Sequence, residues 1–136
     1  MDKKESSVLI DTDVLINFFD KNKKFNQVAA NAFYDFTIRN IEPCISIITS
    51  IEMIQGSKTN LEKKRIVKQL DPFDVISLSD GICASTKNLI ITYSASHGLL
   101  MGDAFIAATA LYLDMPLFTF NKKDFRFIKN LKLYET

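Results

Sequence analysis

The segment that most constrains the fold is residues 8–16, with the sequence VLIDTDVLI. Three apolar residues run directly into a pair of aspartates, and a second apolar run follows. A short apolar run bounded by a turn signal is typical of a buried strand in a parallel sheet. The strand is predicted to end near Asp11 and a helix to start around Asp13, since aspartate is a favoured N-cap residue. This would deliver carboxylates to the carboxyl edge of a sheet, where open α/β folds place their sites.

The rest of the chain alternates between strand and helix patterns. Further strands are predicted near residues 44–47, 75–77 and 117–120, with a possible edge strand at 131–134. Helical patterns fill the intervals, including a long helix from Ser79 to His97 and a strongly apolar helix from Ala104 to Leu113. The sequence therefore predicts one α/β domain over residues 1–136, with a mainly parallel sheet of four or five strands flanked by helices.

Size and composition agree with a single globular domain. The chain has 136 residues, 47% of them hydrophobic, which allows a buried core. The first residues form no apolar run, and no stretch reaches the ~18 apolar residues that a membrane helix needs. Cys44 and Cys83 show no metal-ligand or disulfide spacing, so both are expected to be reduced core residues. These features predict a cytoplasmic protein without a membrane segment.

Polar residues recur where the predicted strands end and the next helices begin. Each has a structural alternative: Asp11 or Asp13 could cap the first helix, Glu52 could complete a capping box with Thr49, and Asp103 could be an N-cap. In a parallel sheet, however, all these places lie on one edge. The candidate site residues are Asp11, Glu52, Asp103, Asn121 and Asp124.

Acids that converge at one edge need a compensating charge. Two carboxylates ~5 Å apart repel by about 3 kcal/mol at an effective dielectric of ~20. A helix N-terminus offsets only ~0.3–1 kcal/mol. A hard cation such as Mg²⁺ or Mn²⁺ would resolve the repulsion, since both favour carboxylate oxygens. Such an ion activates water and steadies a phosphodiester during in-line attack.

Four segments together resemble a known family, the PIN-domain nucleases, and within it the VapC-like toxins. They are residues 8–16 (VLIDTDVLI), 49–56 (TSIEMIQG), 102–110 (GDAFIAATA) and 117–125 (LFTFNKKDF). The resemblance covers essentially the whole chain in the right order. It implies a PIN-like fold and an Mg²⁺- or Mn²⁺-dependent endoribonuclease that acts on single-stranded or loop RNA. It also implies a small antitoxin protein as partner and a homodimer.

The resemblance assigns roles to particular residues. Asp11, Glu52 and Asp103 match the metal-binding acids of the family. The fourth acidic position falls on Asn121, which would hold a metal-bound water without adding charge, or on Asp124. Asp13 departs from the family pattern, in which asparagine or serine is common, and either adds a carboxylate to the site or caps its helix. Thr12 matches a hydroxyl that the family places beside the site.

The remaining charged residues carry weaker signals. The net charge of +1 does not by itself indicate a nucleic-acid binder. Lys122, Lys123 and Arg126 follow the last motif and would either guide an RNA backbone or form an ordinary solvated face. His97 precedes Gly98 at the end of a predicted helix, where a structural role is expected because a cation suits that end of the dipole.

Two other functions compete with the nuclease. Asp11 and Asp13 resemble the first motif of haloacid-dehalogenase-type phosphatases, in which Asp11 would be the nucleophile. That family also has an acidic pair near a late strand, and no Asp-Asp occurs in this sequence. The second alternative is a catalytically idle PIN fold that acts as a binding module, against which the presence of Asp11, Glu52 and Asp103 argues.

Overall fold

A four-stranded parallel sheet forms the centre of the structure. The computed structural model describes residues 6–136. The expected absence of a signal peptide rests in part on residues 1–5, which lie outside the described residues. The strands are β1 (Ser6–Ile10), β2 (Ile41–Ser46), β3 (Asp74–Ile76) and β4 (Leu117–Phe118). Their order is β3-β2-β1-β4 and every pairing is parallel. The predicted α/β class with a parallel sheet is confirmed.

Six α-helices flank this sheet. They are α1 (Thr12–Phe18), α2 (Asn26–Arg39), α3 (Ile47–Gly56), α4 (Asn60–Leu70), α5 (Asp80–His97) and α6 (Met101–Tyr112). A 3₁₀ turn over Lys122–Asp124 follows β4. Within residues 6–136, none of the helices has the length and apolar character needed to cross a membrane.

Alternation along the strands creates two cores, one on each face of the sheet. Successive strand residues point to opposite faces. Leu9 of β1 packs into one core with apolar residues of α5 and α6. Val8 and Ile10 pack into the other core with residues of α1, α2 and α4. The sheet is thus covered on both faces, which explains why Val8, Leu9 and Ile10 of β1 are all apolar and buried.

The central strand β1 ends where the chain order of the sheet changes direction. From β1 the chain passes to β2 on one side, and β4 later adds on the other side. The backbone N–H of Asp11 donates to the carbonyl of Phe118 at 2.9 Å, so the carboxyl ends of β1 and β4 lie side by side. Open α/β sheets place their sites in the crevice outside the strand ends at such a switch point.

Two helix starts come earlier than predicted, by one residue for α1 and by three for α3, for the same reason. Helix α1 begins at Thr12 and not around Asp13, because Asp11 is the N-cap and its side chain accepts from the Thr12 N–H. Helix α3 begins at Ile47, because the hydroxyl of Ser46 at the end of β2 accepts from a backbone N–H of its first turn. In both cases the last side chain of the strand region already caps the helix.

This start of α3 overturns the predicted capping box. Thr49 lies within the helix and is buried, so it does not cap it. Glu52 lies one turn further on and its carboxylate contacts Thr12 of the neighbouring helix α1. Thr49 and Glu52, whose spacing suggested a capping box, instead contact Thr12 of α1.

The expected fifth strand at residues 131–134 reduces to a single parallel bridge between Leu117 and Leu133. The backbone N–H of Tyr134 donates to the Leu117 carbonyl at 2.8 Å. This segment covers the outer edge of β4 without continuing the ladder.

Of the two cysteines, Cys44 is buried as expected, but Cys83 is exposed. Helix α5 buries the stripe formed by Ile82, Thr86 and Leu89. Cys83 follows Ile82 directly, and one residue further along a helix turns the side chain by roughly 100° away from that stripe. The expectation that Cys83 is a core residue is wrong.

Candidate active site

The Asp11 carboxylate is fixed at the carboxyl end of β1 by two donors. Its Oδ1 accepts from the backbone N–H of Thr12 at 2.8 Å, as expected for an N-cap. Its Oδ2 accepts from the hydroxyl of Thr119, just beyond β4, also at 2.8 Å. The residue is only 5% exposed. Asp11 therefore has a defined orientation, set by one local and one distant contact.

Burial makes the charge of Asp11 costly. Its pKa is raised to about 7, first by desolvation and then by the neighbouring charge of Asp13, whereas the hydrogen bonds from Thr119 and Thr12 lower it. A carboxylate in this state gains from any nearby positive charge.

Asp13 connects the first turn of α1 to the chain beyond β4. Its Oδ2 accepts from the backbone N–H of Phe120 at 3.1 Å. Its Oδ1 is buried and has no hydrogen-bond partner among residues 6–136. Burial raises the pKa of Asp13 as well. Asp13 does not cap α1, since Asp11 does. It places a half-buried carboxyl group beside the buried one of Asp11.

Glu52 reaches the same region from α3. Its Oε1 lies 2.8 Å from the hydroxyl of Thr12, which is also 3.0 Å from the hydroxyl of Thr49. Because Thr12 has one hydroxyl proton, it donates to the carboxylate, and the contact with Thr49 requires the Thr49 hydroxyl to donate. A Cβ at Gly102 in the first turn of α6 would lie 3.3 Å from Glu52 Oε2. Helix α6 thus starts directly against Glu52.

Asp103 lies in the first turn of α6, where the charges of other acids affect its pKa. Burial raises its pKa to about 6, and the charges of Asp11, Asp124 and Glu52 add to the shift in that order. Four elements of the fold therefore bring carboxylates into one electrostatic group at the carboxyl edge of the sheet. Asp103 is not an N-cap, because Leu100 holds that position.

The two candidates for the fourth position differ in their surroundings. Asp124 lies in the 3₁₀ turn, raises the pKa of Asp103, and lines a cavity of about 140 Å³ together with it. Asn121 is exposed, and its backbone N–H donates to the hydroxyl of Thr119 at 3.0 Å. Asn121 therefore supports the threonine that fixes Asp11, whereas Asp124 faces Asp103 across a cavity.

The chemistry of this group suits a hard divalent cation. The donors are carboxylate oxygens, which Mg²⁺ and Mn²⁺ prefer. Burial, and after it the neighbouring carboxylates, raise the pKa values of Asp11 and Asp103, so their charged forms are unfavourable and a nearby cation would stabilise them. Within residues 6–136, Oδ1 of Asp13 is also buried without a hydrogen-bond partner. In their present positions the side chains of residues 6–136 do not form a set of three or more His, Cys, Asp or Glu ligands around one point.

A second cavity opens on the other side of Glu52. It has a volume of about 360 Å³ and lies between α1, α3 and α4. Thr12 and Glu52 line it at the acidic end, and Ile16, Met53 and Ile66 give it a largely apolar wall. Ile16 remains 44% exposed. The acids are thus flanked by two cavities of different character.

The basic residues after β4 are not equivalent. Lys122 is paired with Glu135, with 2.7 Å between Nζ and the carboxylate. Lys123 is exposed and lines the cavity of about 140 Å³ beside Asp103 and Asp124. Arg126 is exposed. Of the three residues expected to guide RNA, only Lys123 lines that cavity.

His97 lies in the last turn of α5, where the sequence placed it. Its ring stacks on Phe127 with the centroids 4.2 Å apart, and Ser96 Oγ hydrogen-bonds to Nδ1 at 2.8 Å. It also lines the cavity shared by Asp103 and Asp124, which its helical position alone did not indicate.

Sequence reasoning missed two hydroxyls of the site: that of Thr119, which donates to Asp11, and that of Thr49, which contacts the Thr12 hydroxyl beside Glu52. Thr119 was visible as the single polar residue of the apolar segment LFTF at residues 117–120. Its role depends on β4 lying next to β1, which strand patterns alone do not reveal. For Thr49, the sequence indicated a place in a capping box and not a contact with Thr12.

Comparison with known proteins identifies the family. The family profile of the PIN domain matches residues 8–130. The chain is 32% identical over 141 aligned residues to ribonuclease VapC1 of Methanocaldococcus jannaschii, with 99% of this chain and 92% of that protein covered. It is 29% identical to ribonuclease VapC10 of Mycobacterium tuberculosis, covering 92% of this chain and 90% of that protein.

Solved structures agree with this assignment. One is a toxin-antitoxin complex from Klebsiella pneumoniae, which matches with a TM-score of 0.72 and 30% identity over 95% of this chain and 99% of the other. VapBC-1 from nontypeable Haemophilus influenzae has the same fold, with a TM-score of 0.77 and 24% identity over 95% and 97% of the two chains. With its parallel sheet and its acids at the carboxyl edge, this chain belongs to the PIN-domain family.

Proposed function

We propose that this chain is a metal-dependent endoribonuclease that cleaves RNA phosphodiester bonds as the toxin of a toxin–antitoxin pair. The observation that carries the proposal is the arrangement of acids at the carboxyl edge of the sheet, where the N-terminal turn of α6 lies against Glu52 and Asp103 shares a cavity with Asp124. In agreement with it, burial raises the pKa of Asp103, and the charges of Asp11, Asp124 and Glu52 raise it further. Full-length similarity to a ribonuclease supports the substrate class. A catalytically idle binding module would not need these acids, whose burial and mutual repulsion are unfavourable.

In the proposed mechanism, Asp11, Glu52 and Asp103 hold Mg²⁺ or Mn²⁺, and Asp124 takes the fourth position. When bound, such an ion lowers the pKa of a water molecule and offsets the charge that builds on the phosphate. Asp124 is favoured over Asn121 because it carries charge and shares a cavity with Asp103.

The neighbours of these acids orient them for this task. Thr119 and the Thr12 N–H fix both oxygens of Asp11. The Thr12 hydroxyl holds one oxygen of Glu52 and leaves the other free. Asp11 is buried whereas Glu52 is exposed, so the group has a fixed inner side and an open outer side. Preorganised ligands of this kind avoid reorganisation during the reaction.

The antitoxin would be a small protein that covers the acids from the cavity of about 360 Å³. Thr12 and Glu52 line the acidic end of that cavity, so an inserted segment would reach them directly. The largely apolar wall and the exposed Ile16 fit an apolar segment of such a partner. The solved relative from Klebsiella pneumoniae is itself a toxin-antitoxin complex. We propose a homodimer as the form that binds the antitoxin.

Replacement of Asp103 by asparagine tests the catalytic assignment. Asp103→Asn should lower RNA cleavage at least about 100-fold, because it removes a charge that holds the ion. The measurement is cleavage of a panel of structured RNAs with Mg²⁺ or Mn²⁺, beside the thermal midpoint of each variant as a check on folding.

The matched pair in the same experiment is Asp124→Asn and Asn121→Ala. Asp124→Asn should lower activity clearly more than Asn121→Ala if Asp124 fills the fourth position. Full activity of a folded Asp103→Asn variant would contradict the proposed site, and absence of RNA cleavage by the wild type would leave the idle binding module as the better interpretation.

Stability without divalent cations should fall as the pH rises from about 4 to about 7. The pKa values of Asp11 (about 7) and Asp103 (about 6) in the folded protein lie above their ordinary value, so the unfolded chain releases these protons first. The thermal midpoint in EDTA should thus be lower at pH 8 than at pH 5, and Mn²⁺ should raise it most at pH 8.

The Asp13→Asn variant is the control for this pH dependence. It is nearly isosteric, can still accept from the Phe120 N–H, and removes the charge that raises the pKa of Asp11. It should be more stable than the wild type at pH 8 in EDTA and nearly equal to it at pH 5. Equal pH profiles for both proteins would show that these acids do not repel one another.

Lys123 and Lys122 provide a matched pair for the RNA path. Lys123→Ala should weaken RNA binding and lower the dependence of log K on log salt by about 1, as expected for one lost phosphate contact. Lys122→Ala should change the salt dependence less, because Lys122 is already paired with Glu135. The measurement is a binding titration at several salt concentrations, and equal slopes for both variants would contradict the proposed path.

Ile16→Ser should weaken antitoxin binding about ten-fold or more, because burying an isoleucine side chain contributes roughly 1.5–3 kcal/mol. RNA cleavage by the free protein should stay close to that of the wild type. The control is Ile91→Ser on α5, where the side chain is 70% exposed. Calorimetry with the co-expressed antitoxin measures the affinities, and sedimentation gives the oligomeric state. Unchanged affinity for Ile16→Ser would place the antitoxin elsewhere.

A further inference from the structure

We propose that the cavity beside Asp103 and Asp124 is a binding subsite for one nucleobase of the RNA, with the His97 ring as its stacking platform. The proposal rests on the proposed ribonuclease function, since it places a base next to the phosphate that the acids would act on. It assigns His97 a role in positioning the substrate and none in proton transfer.

The size and position of the cavity fit a single base. Its volume is about 140 Å³, well below the ~300–1,000 Å³ of pockets for drug-sized ligands. Asp103 and Asp124 are among the residues that line it. A nucleotide whose phosphate lies at these acids would therefore find room here for one planar ring, and not for a longer stretch of chain.

The His97 ring is held in place and still accessible. It stacks on Phe127 at an interplanar angle of 7°, and Tyr93 packs edge-on against both rings. Ser96 hydrogen-bonds to Nδ1, which fixes the rotation of the ring. His97 nevertheless remains exposed. Proteins bind unpaired RNA bases by stacking them on such aromatic side chains, including histidine.

The rest of the lining also favours a nucleotide. Lys123 places a cation at the cavity, suited to a phosphate next to the bound base. Leu100 adds an apolar side chain that is 73% exposed. A metal ligand role through Nδ1 of His97 is disfavoured, because this atom is engaged by the hydroxyl of Ser96.

The test follows the base directly by fluorescence. Short single-stranded RNAs carrying 2-aminopurine at each position in turn are bound to protein with the Asp11→Asn change, which blocks cleavage in the proposed mechanism. Stacking on an aromatic ring quenches this fluorophore. We expect strong quenching at one position only, lost in His97→Ala and kept in His97→Trp, which restores a stacking surface.

Kinetics provide the second readout. In the wild-type background, His97→Ala should raise KM about 5- to 150-fold with little change in kcat, the range expected for loss of one base–aromatic stack. The control is Ile91→Ala, an exposed position on the same helix away from the cavity. A purely structural role of His97 would lower the thermal midpoint of His97→Ala without affecting the quenched position.

The outcomes separate this proposal from the proposed function. RNA cleavage by the wild type, with KM and quenching unchanged in His97→Ala, would overturn the base subsite and leave the nuclease intact. If quenching in the Asp11→Asn protein depends on His97 but the wild type cleaves no RNA, the subsite is supported and the nuclease is overturned. A wild type that neither binds nor cleaves RNA would overturn both.

Discussion

The buried carboxylate of Asp11 is the constraint on which the rest of the site depends. A charged group removed from water is unfavourable unless donors compensate it. The local donor is the first N–H of α1, and the distant one is Thr119, 108 residues further along the chain. Asp11 can therefore be accommodated only when β4 has joined the sheet beside β1. The contact that orients Asp11 thus also joins the end of β1 to the residue that follows β4.

The order of the strands explains why further acids gather around Asp11. At the carboxyl edge, the first turns of α1 and α6 and the third residue of the turn after β4 all face the end of β1. Each of these elements brings a carboxylate; burial raises the pKa of Asp103, and the charges of Asp11, Asp124 and Glu52 raise it further. The fold thus tolerates an unfavourable group of charges where a functional site needs it, as is common for active sites.

Local signals in the sequence were sufficient for several elements and insufficient for others. Helix α5 matched its prediction because its boundaries are set by its own residues, the hydroxyl of Ser79 at one end and the left-handed Gly98 at the other. The predicted capping box failed because Ser46, three residues earlier, caps α3 first. The pairing of Thr119 with Asp11 was out of reach, since it depends on which strands are neighbours.

For the site itself, the sequence indicated which acids follow which strands, and the structure adds how they are oriented and what lies beside them. The two cavities separate the candidate acids: Glu52 lines the larger one, whose wall is largely apolar, and Asp103 and Asp124 line the smaller one. An inhibitor in the larger cavity would act through Glu52 without entering the place proposed for a base. Inhibitor and RNA would then compete for the acids and not for the aromatic surface at His97. Under the proposed function, inhibition at Glu52 and base binding at His97 would therefore be separate, and a substitution at one place would leave the other in place.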